Sequence, residues 1–472
     1  MNGSCPKAVE SAALADYERQ IKPYRDAFGA RASIATLTSG VAIPDDLLHL
    51  FMVHYSAFGI SMTRPVEEWI RRAGVKCQKI GLSSLGKALV KHARHEAGHH
   101  RLMIADLWTL ADAWNDSHKA KIDPITLSRC NLPSSVIRYQ KLHERVIGGE
   151  APYTQIALEY EIEALSVRYG PALLAAAGGK EGSSFLKEHI AIDGGHTKFN
   201  RTQISRLLVA NPEFLEPLVA IGAEALELYG AFIDDCVSAT MAFGDGATPA
   251  NLKFKLMQPP GDRAPYPPEW LMSVRSLRSQ ILFDGGTRPA FGPNGSDYGD
   301  TDSRDRYCHH LILQENNVPI GTARLGLIKS KQVPSLTDGS FGHRNVSKIL
   351  NAAGINRADC GEASRLVLHP DYRRGVNSRL LFAGLWALAA QLNLKALIAA
   401  VGTKNGQDRL FSIMGAEMID AAGRINAPTY NDTLRLALFK IDTDHPPNHP
   451  ELDHMREFVR RSFGQASIRT AA

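Results

Sequence analysis

The sequence predicts a multidomain protein in which an all-α helical bundle precedes an α/β domain. Its 472 residues exceed the size at which one hydrophobic core usually stops growing. Apolar residues recur at three- and four-residue spacing up to about residue 245, glycine and proline then interrupt the pattern, and strand-like apolar runs follow. We therefore expect an N-terminal extension (1–34), a helical domain (35–245), a linker (246–268), an α/β domain (269–445) and a C-terminal helix or tail (446–472).

Individual elements follow from the same patterns. Helical spacing is clearest in Asp45–His54, Leu89–Ala111 and Phe214–Phe243. The segment from Gly244 to Pro268 is rich in glycine and proline, so we expect no regular element there. The expected strands are Cys308–Gln314, Ile320–Leu327, Ala363–His369 and Lys395–Val401, with helices over Asn377–Leu392 and Glu451–Phe463.

Composition excludes several classes of function. The net charge of +5 is spread over the whole chain without a run of five or six like charges, which argues against a nucleic-acid partner. Six cysteines without a Cys-x-x-Cys pair fit a reducing compartment. There is no apolar stretch of about 18 residues and no signal-peptide pattern at the start, so we expect a cytoplasmic protein without a membrane segment.

Three strong metal-binding side chains occur together in His189-x-x-x-Asp193-x-x-His196. On a helix, offsets of four and three place them within about 60° of one another. Further oxygen and nitrogen ligands are available upstream in Glu96-x-x-His99 and in a cluster of glutamates from 159 to 163. Such a set without thiolate suits iron or manganese, and six candidates favour two ions over one zinc.

These motifs resemble those of the heme-oxygenase-like diiron oxidases, over residues 35–243. The phrase from His95 to Leu107 resembles the ligand-bearing central helix of that family. The resemblance implies a seven-helix fold that binds two irons rather than heme. It implies the metal ligands Glu96, His99, Glu159, His189, Asp193 and His196.

Some ligand choices stay open at this stage. Glu163 lies one helical turn from Glu159 on the same face and is an alternative to it, whereas Glu161 points the other way. His100 is an alternative to His99. We interpret His54, His92 and His95 as surface or hydrogen-bonded core residues. Manganese in place of one iron also stays open.

The resemblance implies oxygen-dependent chemistry: N-hydroxylation of an amine, or oxidative C–C cleavage of an amino acid or fatty acid. The sequence does not separate these two reactions.

Residues 269–445 resemble the GNAT acyltransferase fold, in the branch of acyl-homoserine-lactone synthases and N-acyl amino acid synthases. The resemblance rests on Ile320–Leu325, Gly361–Gly375 and Leu410–Ala416. A strand, a basic turn and a helix N-terminus can together hold the phosphates of an acyl carrier. The candidates for contacting acyl-CoA or an acyl-carrier protein are Arg373, Arg374, Gly375, Asn377 and Arg379.

The turn departs from the usual acetyl-CoA loop, because aligning Gly375 puts Tyr372 and Asn377 at its outer positions. We therefore expect a longer acyl group on a carrier. Glu362 is the candidate base that takes the amine proton, and Arg324 and Arg365 are candidates for holding an acceptor carboxylate. The alternative is a structural Glu–Arg ion pair beside the strand.

Together the two halves indicate a bifunctional biosynthetic enzyme that acts on a small amine or amino acid, with O2 and an acyl carrier protein as further partners. One alternative is a helical domain without catalysis that responds to iron or oxygen, or serves as a scaffold, and controls an N-acyltransferase. Another is an oxidase whose second domain only binds a carrier-tethered substrate. The oligomeric state stays open, and a homodimer is one state that we consider.

Overall fold

The structure is a computed structural model that describes residues 6–129, 132–178, 181–244, 252–261, 266–292, 299–315, 317–328, 335–373, 376–404 and 406–470. The chain forms two compact units, Met1–Pro249 and Ala250–Ala472. No helix in the described ranges combines the length and the apolar character that a bilayer crossing requires.

The described residues of the first unit are helical or lie in the turns between helices. Fully buried side chains such as Leu107, Ile156 and Phe232 form its core. The α-helices are α1 (Pro6–Gly29), α2 (Ala32–Thr38), α3 (Asp45–Thr63), α4 (Val66–Lys79), α5 (Ser83–Ala93), α6 (His100–Ser117), α7 (Pro124–Arg129), α8 (Ser134–Gly148), α9 (Gln155–Ala176), α10 (Ser184–Ala210) and α11 (Leu215–Gly244).

Helix α1 packs against α10 and α11, and a buried ion pair ties it to α9. The carboxylate of Glu161 accepts hydrogen bonds from Arg25 Nε at 2.7 Å and from the Tyr17 hydroxyl at 2.9 Å. Glu161 therefore faces α1, as its helical offset from Glu159 and Glu163 predicts.

The helix expected over Leu89–Ala111 is interrupted. Helix α5 ends at Ala93 and α6 begins at His100, and the residues between them form turns. Gly98 has φ +83°, a left-handed conformation that a side chain disfavours and that a helix does not accommodate. Glu96 and His99 consequently lie in a turn between two helices instead of on one helix.

The second unit is built around a mixed sheet. Its strands are β1 (Leu252–Met257), β2 (Cys308–Glu315), β3 (Val318–Leu327), β4 (Cys360–Leu368), β5 (Ala396–Gly402), β6 (Glu417–Met418), β7 (Ile425–Ala427) and β8 (Asp432–Lys440). Its α-helices are α12 (Glu269–Asp284), α13 (Leu336–Phe341), α14 (His343–Ala352), α15 (Asn377–Gln391), α16 (Gln407–Ile413) and α17 (Pro450–Thr470).

The strand order is β1-β2-β3-β4-β5-β8-β6, and β7 also pairs with β8. The four expected strands are confirmed as β2, β3, β4 and β5, within three residues at each end. Strand β1 lies in the segment expected to hold no regular element. Its sequence alternates apolar and charged side chains, and it pairs with β2 from Leu252↔Glu315 to Met257↔His310.

The only parallel pair among the described strands is β4 with β5, and it is short. Pairing covers Cys360–Glu362 against Ala396–Ile398 and stops there. Strand β4 nevertheless continues to Leu368 and β5 to Gly402. The two strands therefore separate beyond Glu362, which leaves backbone groups free to meet a ligand.

Candidate functional sites

The first candidate site is a cluster of histidines and carboxylates inside the helical unit. Helix α10 carries His189, Asp193 and His196, as the sequence predicts for a single helix. The turn after α5 supplies Glu96 and His99. Helix α9 supplies Glu159 and Glu163, and His92 lies in the last turn of α5.

Two groups of possible metal-binding donor atoms share one carboxylate. The first group is His92, Glu96, Glu163 and His196, and the second is Glu96, His99 and His189. Within each group the donor atoms lie within 4.8 Å of one another. Glu96 belongs to both groups, so the arrangement is that of two adjacent sites with a common carboxylate.

Several donor atoms in this cluster lie close together without forming hydrogen bonds. Glu96 Oε1 is 3.2 Å from His196 Nδ1, and Glu96 Oε2 is 3.0 Å from His99 Nδ1. Yet Glu96 Oε1, His99 Nδ1 and His196 Nδ1 are buried and have no hydrogen-bond partner of suitable geometry. Buried polar atoms without partners are uncommon, and ligands that face a common cation would show this geometry.

Neighbouring groups orient several of these side chains. His189 Nδ1 donates to the Phe185 carbonyl at 2.9 Å, which leaves Nε2 for another partner. Ser166 donates to one oxygen of Asp193, whose other oxygen is 3.4 Å from His196 Nδ1. Asn200 donates to Glu163. Such supporting hydrogen bonds are typical of residues that hold a metal.

The two groups therefore contain only some of the six expected ligands. Glu96, His99, His189 and His196 lie in the two groups, and Asp193 adjoins His196. Glu159 lies outside both groups, and its carboxylate accepts a hydrogen bond from Gln155. The open alternative Glu163 joins the first group; His100, the alternative to His99, joins neither.

His92, which the sequence led us to interpret as a surface or hydrogen-bonded core residue, lies among the donors of the first group. It lies four residues before Glu96, and its Nε2 is 3.1 Å from Glu163 Oε1. The i,i+4 spacing to Glu96 was the available indication.

The pKa values in the cluster reflect the burial of several carboxylates close to one another. Burial raises the pKa of Glu163 well above its ordinary value, and the negative charge of Glu159 raises it further. Burial and the nearby Glu96 raise the pKa of Glu159 to about 8. Burial and the neighbouring His196 lower the pKa of His92 to about 4. A bound cation would supply the positive charge that this cluster lacks.

A cavity of about 140 Å³ adjoins the cluster. Its lining includes Glu96, Glu159, Glu163, His189 and Asp193 of the cluster. The remaining lining is mostly aromatic and aliphatic, including Phe51, Tyr55, Tyr139, Leu173, Tyr229 and Ile233.

The second candidate site is the space between the separating strands β4 and β5. A cavity of about 110 Å³ there is lined by Glu362–Val367 of β4, by Ala399–Gly402 of β5 and by Tyr430. Arg365 and Tyr430 also line an adjoining open cleft, together with Asp300 and Asp302. The two spaces therefore meet at Arg365 and Tyr430.

Arg324 and Arg365 belong to a buried network with three aspartates of the same unit. Arg324 pairs with Asp302 at 3.0 Å and with Asp305 at 2.8 Å. Its Nε donates to Ser364 at 3.0 Å, so each of its nitrogens has a partner, and it lines neither space. Arg365 pairs with Asp300 at 2.8 Å and donates to the Tyr430 hydroxyl at 2.6 Å.

The positive charges of these arginines keep the three buried aspartates charged. Burial would raise the pKa of Asp302, but the positive charges of Arg324 and Arg365 outweigh it and hold this pKa far below its ordinary value. Arg278, which is fully buried, pairs with Asp305 at 2.6 Å. The network fixes the segment from Asp300 to Asp305 beside the cleft.

Glu362 contacts the N-terminus of helix α13 instead of an arginine. Its Oε1 accepts hydrogen bonds at 2.6 Å from the Ser335 hydroxyl, the Thr337 hydroxyl and the Thr337 amide. Its Oε2 accepts one from the Leu336 amide at 3.0 Å. The expected alternative of a Glu–Arg ion pair is therefore not what surrounds Glu362.

The expected carrier-binding residues follow β4. Arg373 is exposed, and its Nε donates to the Leu368 carbonyl at 3.0 Å. Asn377 opens helix α15, and Arg379 pairs with Glu451 at 2.9 Å. Arg374 and Gly375 lie outside the described residues.

Comparisons with known proteins recover both expected resemblances. Residues 286–383 match the family described as acetyltransferase (GNAT) domain. No curated protein matches the sequence.

Solved structures similar to each half were also found. One is a domain of unknown function with a heme oxygenase-like fold from Shewanella denitrificans, with 17% identity, a TM-score of 0.39 and coverage of 50% of this chain and 96% of that one. A second is the CoA-dependent acyl-homoserine lactone synthase BjaI, with 18% identity, a TM-score of 0.32 and coverage of 44% and 90%. A third is FeeM, an N-acyl amino acid synthase from uncultured soil microbes, with 13% identity, a TM-score of 0.29 and coverage of 41% and 92%. The chain thus combines a helical unit with a unit that contains a GNAT domain.

Proposed function

We propose that the helical unit is an oxygen-dependent, non-heme diiron oxidase or oxygenase, and that the second unit transfers an acyl group from acyl-CoA or an acyl carrier protein to an amine. The observation that carries the first half of this proposal is the position of Glu96 between two groups of donor atoms. One carboxylate that serves two adjacent sites is a feature of dinuclear carboxylate centres in helical bundles.

The residues present fit two iron ions. The donors are carboxylate oxygens and imidazole nitrogens from three helices and one turn, and some of these buried atoms lack hydrogen-bond partners. His92, Glu96, Glu163 and His196 would hold one ion, and Glu96, His99 and His189 would hold the other, with Asp193 beside His196. Bound there, two ferrous ions supply two electrons for the activation of dioxygen.

The protein contributes orientation and exclusion of water. Hydrogen bonds from Ser166 and Asn200 fix the carboxylates of Asp193 and Glu163, and the Phe185 carbonyl fixes the ring of His189. The adjoining cavity is mostly apolar, so a substrate held in it would be shielded from solvent next to the donor cluster.

For acyl transfer, the GNAT domain match and the separation of β4 from β5 support binding of the acyl donor between these strands. The amine nitrogen forms a bond to the thioester carbonyl carbon, the C–S bond breaks and the thiol sulfur leaves with the electron pair. The amine also loses a proton, which ends on the departing thiolate to give the free thiol. Cavity-lining Glu362 is bound by four donors, which favours a role in positioning helix α13 over the expected role as base.

The test of the oxidase half is anaerobic titration of metal-free full-length protein with ferrous iron, followed by rapid mixing with oxygen. Absorption and Mössbauer spectroscopy would follow the iron, and His189→Ala would serve as the control. We expect about two irons per chain and an oxygen-dependent transient that is lost in the variant. One iron or none, without an oxygen reaction, would overturn the diiron assignment.

The test of the acyltransferase half uses the same protein without iron. A panel of amines and amino acids is incubated with acyl-CoA and with an acyl carrier protein, and release of the free thiol is measured. Thiol release that requires an amine and yields an amide supports the proposal. Binding of the acyl donor without turnover for any acceptor would instead favour a domain that only binds a carrier-tethered substrate.

A further inference from the structure

A run of aromatic side chains leads outward from the cavity beside the donor cluster. Tyr139 and Tyr229 line this cavity, and their ring centroids are 6.4 Å apart. Trp69 on α4 meets the ring of Tyr139 edge to face at a centroid distance of 6.4 Å. His143 on α8 is stacked on Trp69 at 3.9 Å. Tyr139 and Trp69, which are both readily oxidised, therefore lie in succession from the cavity wall outward.

Trp69 ends this run at a proton acceptor that reaches solvent. Its side chain is buried, but its Nε1 donates to Glu144 Oε1 at 2.9 Å. The side chain of Glu144 is 51% exposed and also pairs with Arg72. The hydrogen bond from Arg72 lowers the pKa of Glu144, so this carboxylate is charged at neutral pH. A charged carboxylate in this position can take the indole proton and exchange it with water.

Trp114 in the same unit shows how much of this arrangement is ordinary packing. It is also buried, and it is also stacked on a histidine, His118, at 3.6 Å. Its Nε1, however, donates to the Ala120 carbonyl at 2.8 Å, and a backbone carbonyl accepts a hydrogen bond without taking up the proton. The stacking is thus common to both indoles, whereas the link from the cavity wall to an exposed carboxylate belongs to Trp69.

Resting on the proposed function, we propose that Tyr139 and Trp69 form an electron path that reduces the diiron centre from solution when no substrate supplies electrons. Reduction of O2 to two water molecules takes four electrons and four protons, and two ferrous ions supply two of these electrons. A thiol in solution supplies the other two through this path. The path thereby protects the side chains that line the cavity from oxidation.

Each transfer moves one electron from Tyr139 to the centre, and the phenol proton passes to a carboxylate of the cavity wall. Glu159 suits this role, because burial raises the pKa of the Tyr139 phenol and the nearby charge of Glu159 raises it further. Trp69 then returns an electron to Tyr139, which recovers its proton, while the Nε1 proton of Trp69 moves to Glu144. A thiol restores Trp69 by giving it an electron and a proton. Two transfers join two thiols in one disulfide, and the protons consumed with O2 come from the thiols and from solvent.

The path is tested first in metal-free, full-length protein. Tyr139→3-aminotyrosine places an easily oxidised ring at the cavity wall, and a soluble ruthenium polypyridyl photo-oxidant with persulfate withdraws electrons at the surface. Electron paramagnetic resonance measures the aminotyrosyl radical. We expect added Trp69→Phe to lower the radical yield at least tenfold and added Trp114→Phe, the matched control, to leave it unchanged. Equal yields in the two variants would overturn the path.

A surface variant guards against loss of packing at Trp69. Glu144→Gln keeps an oxygen for the indole N–H but takes up no proton at neutral pH. We expect it to lower the radical yield as well, while Glu224→Gln, which changes another exposed glutamate paired with an arginine, does not. A full yield in Glu144→Gln would contradict the assigned proton acceptor.

The second experiment links the path to the metal. Protein loaded anaerobically with ferrous iron is mixed with O2 and dithiothreitol without substrate, and oxidised dithiothreitol and oxidation of Tyr139 are measured by mass spectrometry. We expect Trp69→Phe to slow the thiol oxidation at least tenfold and to accumulate oxidised Tyr139, whereas Trp114→Phe behaves like the original protein. Two bound irons with no effect of Trp69→Phe would overturn the inference and leave the diiron proposal standing. If iron does not bind but radical transfer to position 139 still requires Trp69, the diiron proposal fails and the electron path stands.

Discussion

Glu96 Oε1 lies 3.2 Å from His196 Nδ1, yet these two buried atoms do not form a hydrogen bond. Their separation is that of a polar pair, but their geometry is not that of a donor and its acceptor. Two ligands of one cation would be arranged in this way. Because Glu96 also approaches His99, its carboxylate is the point at which the two groups of donors meet.

We expect Glu96→Gln to weaken both metal positions, since its carboxylate belongs to both groups. His92→Gln should affect only one position, and Glu159→Gln should leave two ions bound. Replacing a residue that hydrogen-bonds to a metal ligand typically weakens metal binding by about 10- to 100-fold. Replacing a ligand itself should weaken it at least as much. Ferrous or cobalt titration of each variant checks this. Loss of one ion in Glu159→Gln would instead place Glu159 among the ligands.

Gly98→Ala tests the interruption between α5 and α6. At φ +83° an alanine strains the backbone by about 1–2 kcal/mol. An added Cβ would meet nothing nearer than 3.8 Å, so the cost is conformational rather than steric. We expect a lower free energy of unfolding in urea and weaker iron binding, because Glu96 and His99 flank Gly98. Gly81→Ala, at φ +93° but remote in sequence from the ligands, is the matched control. Equal iron affinity in the two variants would contradict this link.

Glu161→Gln tests the buried pair that joins α1 to α9. Removing the charge leaves Arg25 facing a neutral amide in a place where Glu161 is fully buried. Arg25 is partly exposed and keeps Glu18 as a second partner, so the cost should be below the about 3–5 kcal/mol of breaking a fully buried pair. We expect a measurable loss of stability in urea unfolding with two irons still bound, because Glu161 faces away from the cluster. A variant that keeps its stability but loses iron would show that Glu161 belongs to the site.

Much of the fold could be predicted from periodicity, and the exceptions have local causes. Strand β4 and helix α15 were predicted from their apolar runs, which burial on the sheet maintains. Strand β1 was not predicted, because its six residues stand between glycine and proline clusters and obtain their partners only from β2. The break at Gly98 was not predicted either, since the apolar spacing continues through it.

Part of the candidate metal site could also be predicted from residue spacing. His189, Asp193 and His196 lie on one helix, so spacing alone brings them together. His92 and Glu163 come from different helices, and only the tertiary fold places them 3.1 Å apart. The buried network around Arg324 and Arg365 likewise depends on Asp300, Asp302 and Asp305, which belong to an irregular segment without periodicity.

Stability of the helical unit should fall in acid because His143 is buried in a neutral state. Burial lowers the pKa of His143 to about 3, against an ordinary value of 6.5. Below pH 6.5 the unfolded chain therefore binds a proton that the folded chain does not, and the free energy of unfolding falls by about 1.4 kcal/mol per pH unit. In urea unfolding of metal-free protein at pH 7, 6 and 5, His143→Phe should show a shallower slope. An unchanged slope would mean that His143 does not contribute to it.

Glu362→Gln separates positioning from catalysis in the second unit. The glutamine keeps an oxygen for Thr337 but turns the NH2 of its side-chain amide toward the Leu336 N–H, so this partly buried donor loses its acceptor at a cost of about 1–3 kcal/mol. If Glu362 positions helix α13, acyl transfer should fall by less than about tenfold, and its pH profile should keep its shape. Loss of a general base would lower the rate by about 10²–10⁴-fold and remove one limb of the profile. Thr337→Val, which removes one donor to the same carboxylate, is the control and should lower stability without changing the profile. A collapse of kcat in Glu362→Gln at preserved fold, with Thr337→Val near the starting rate, would assign the proton to Glu362.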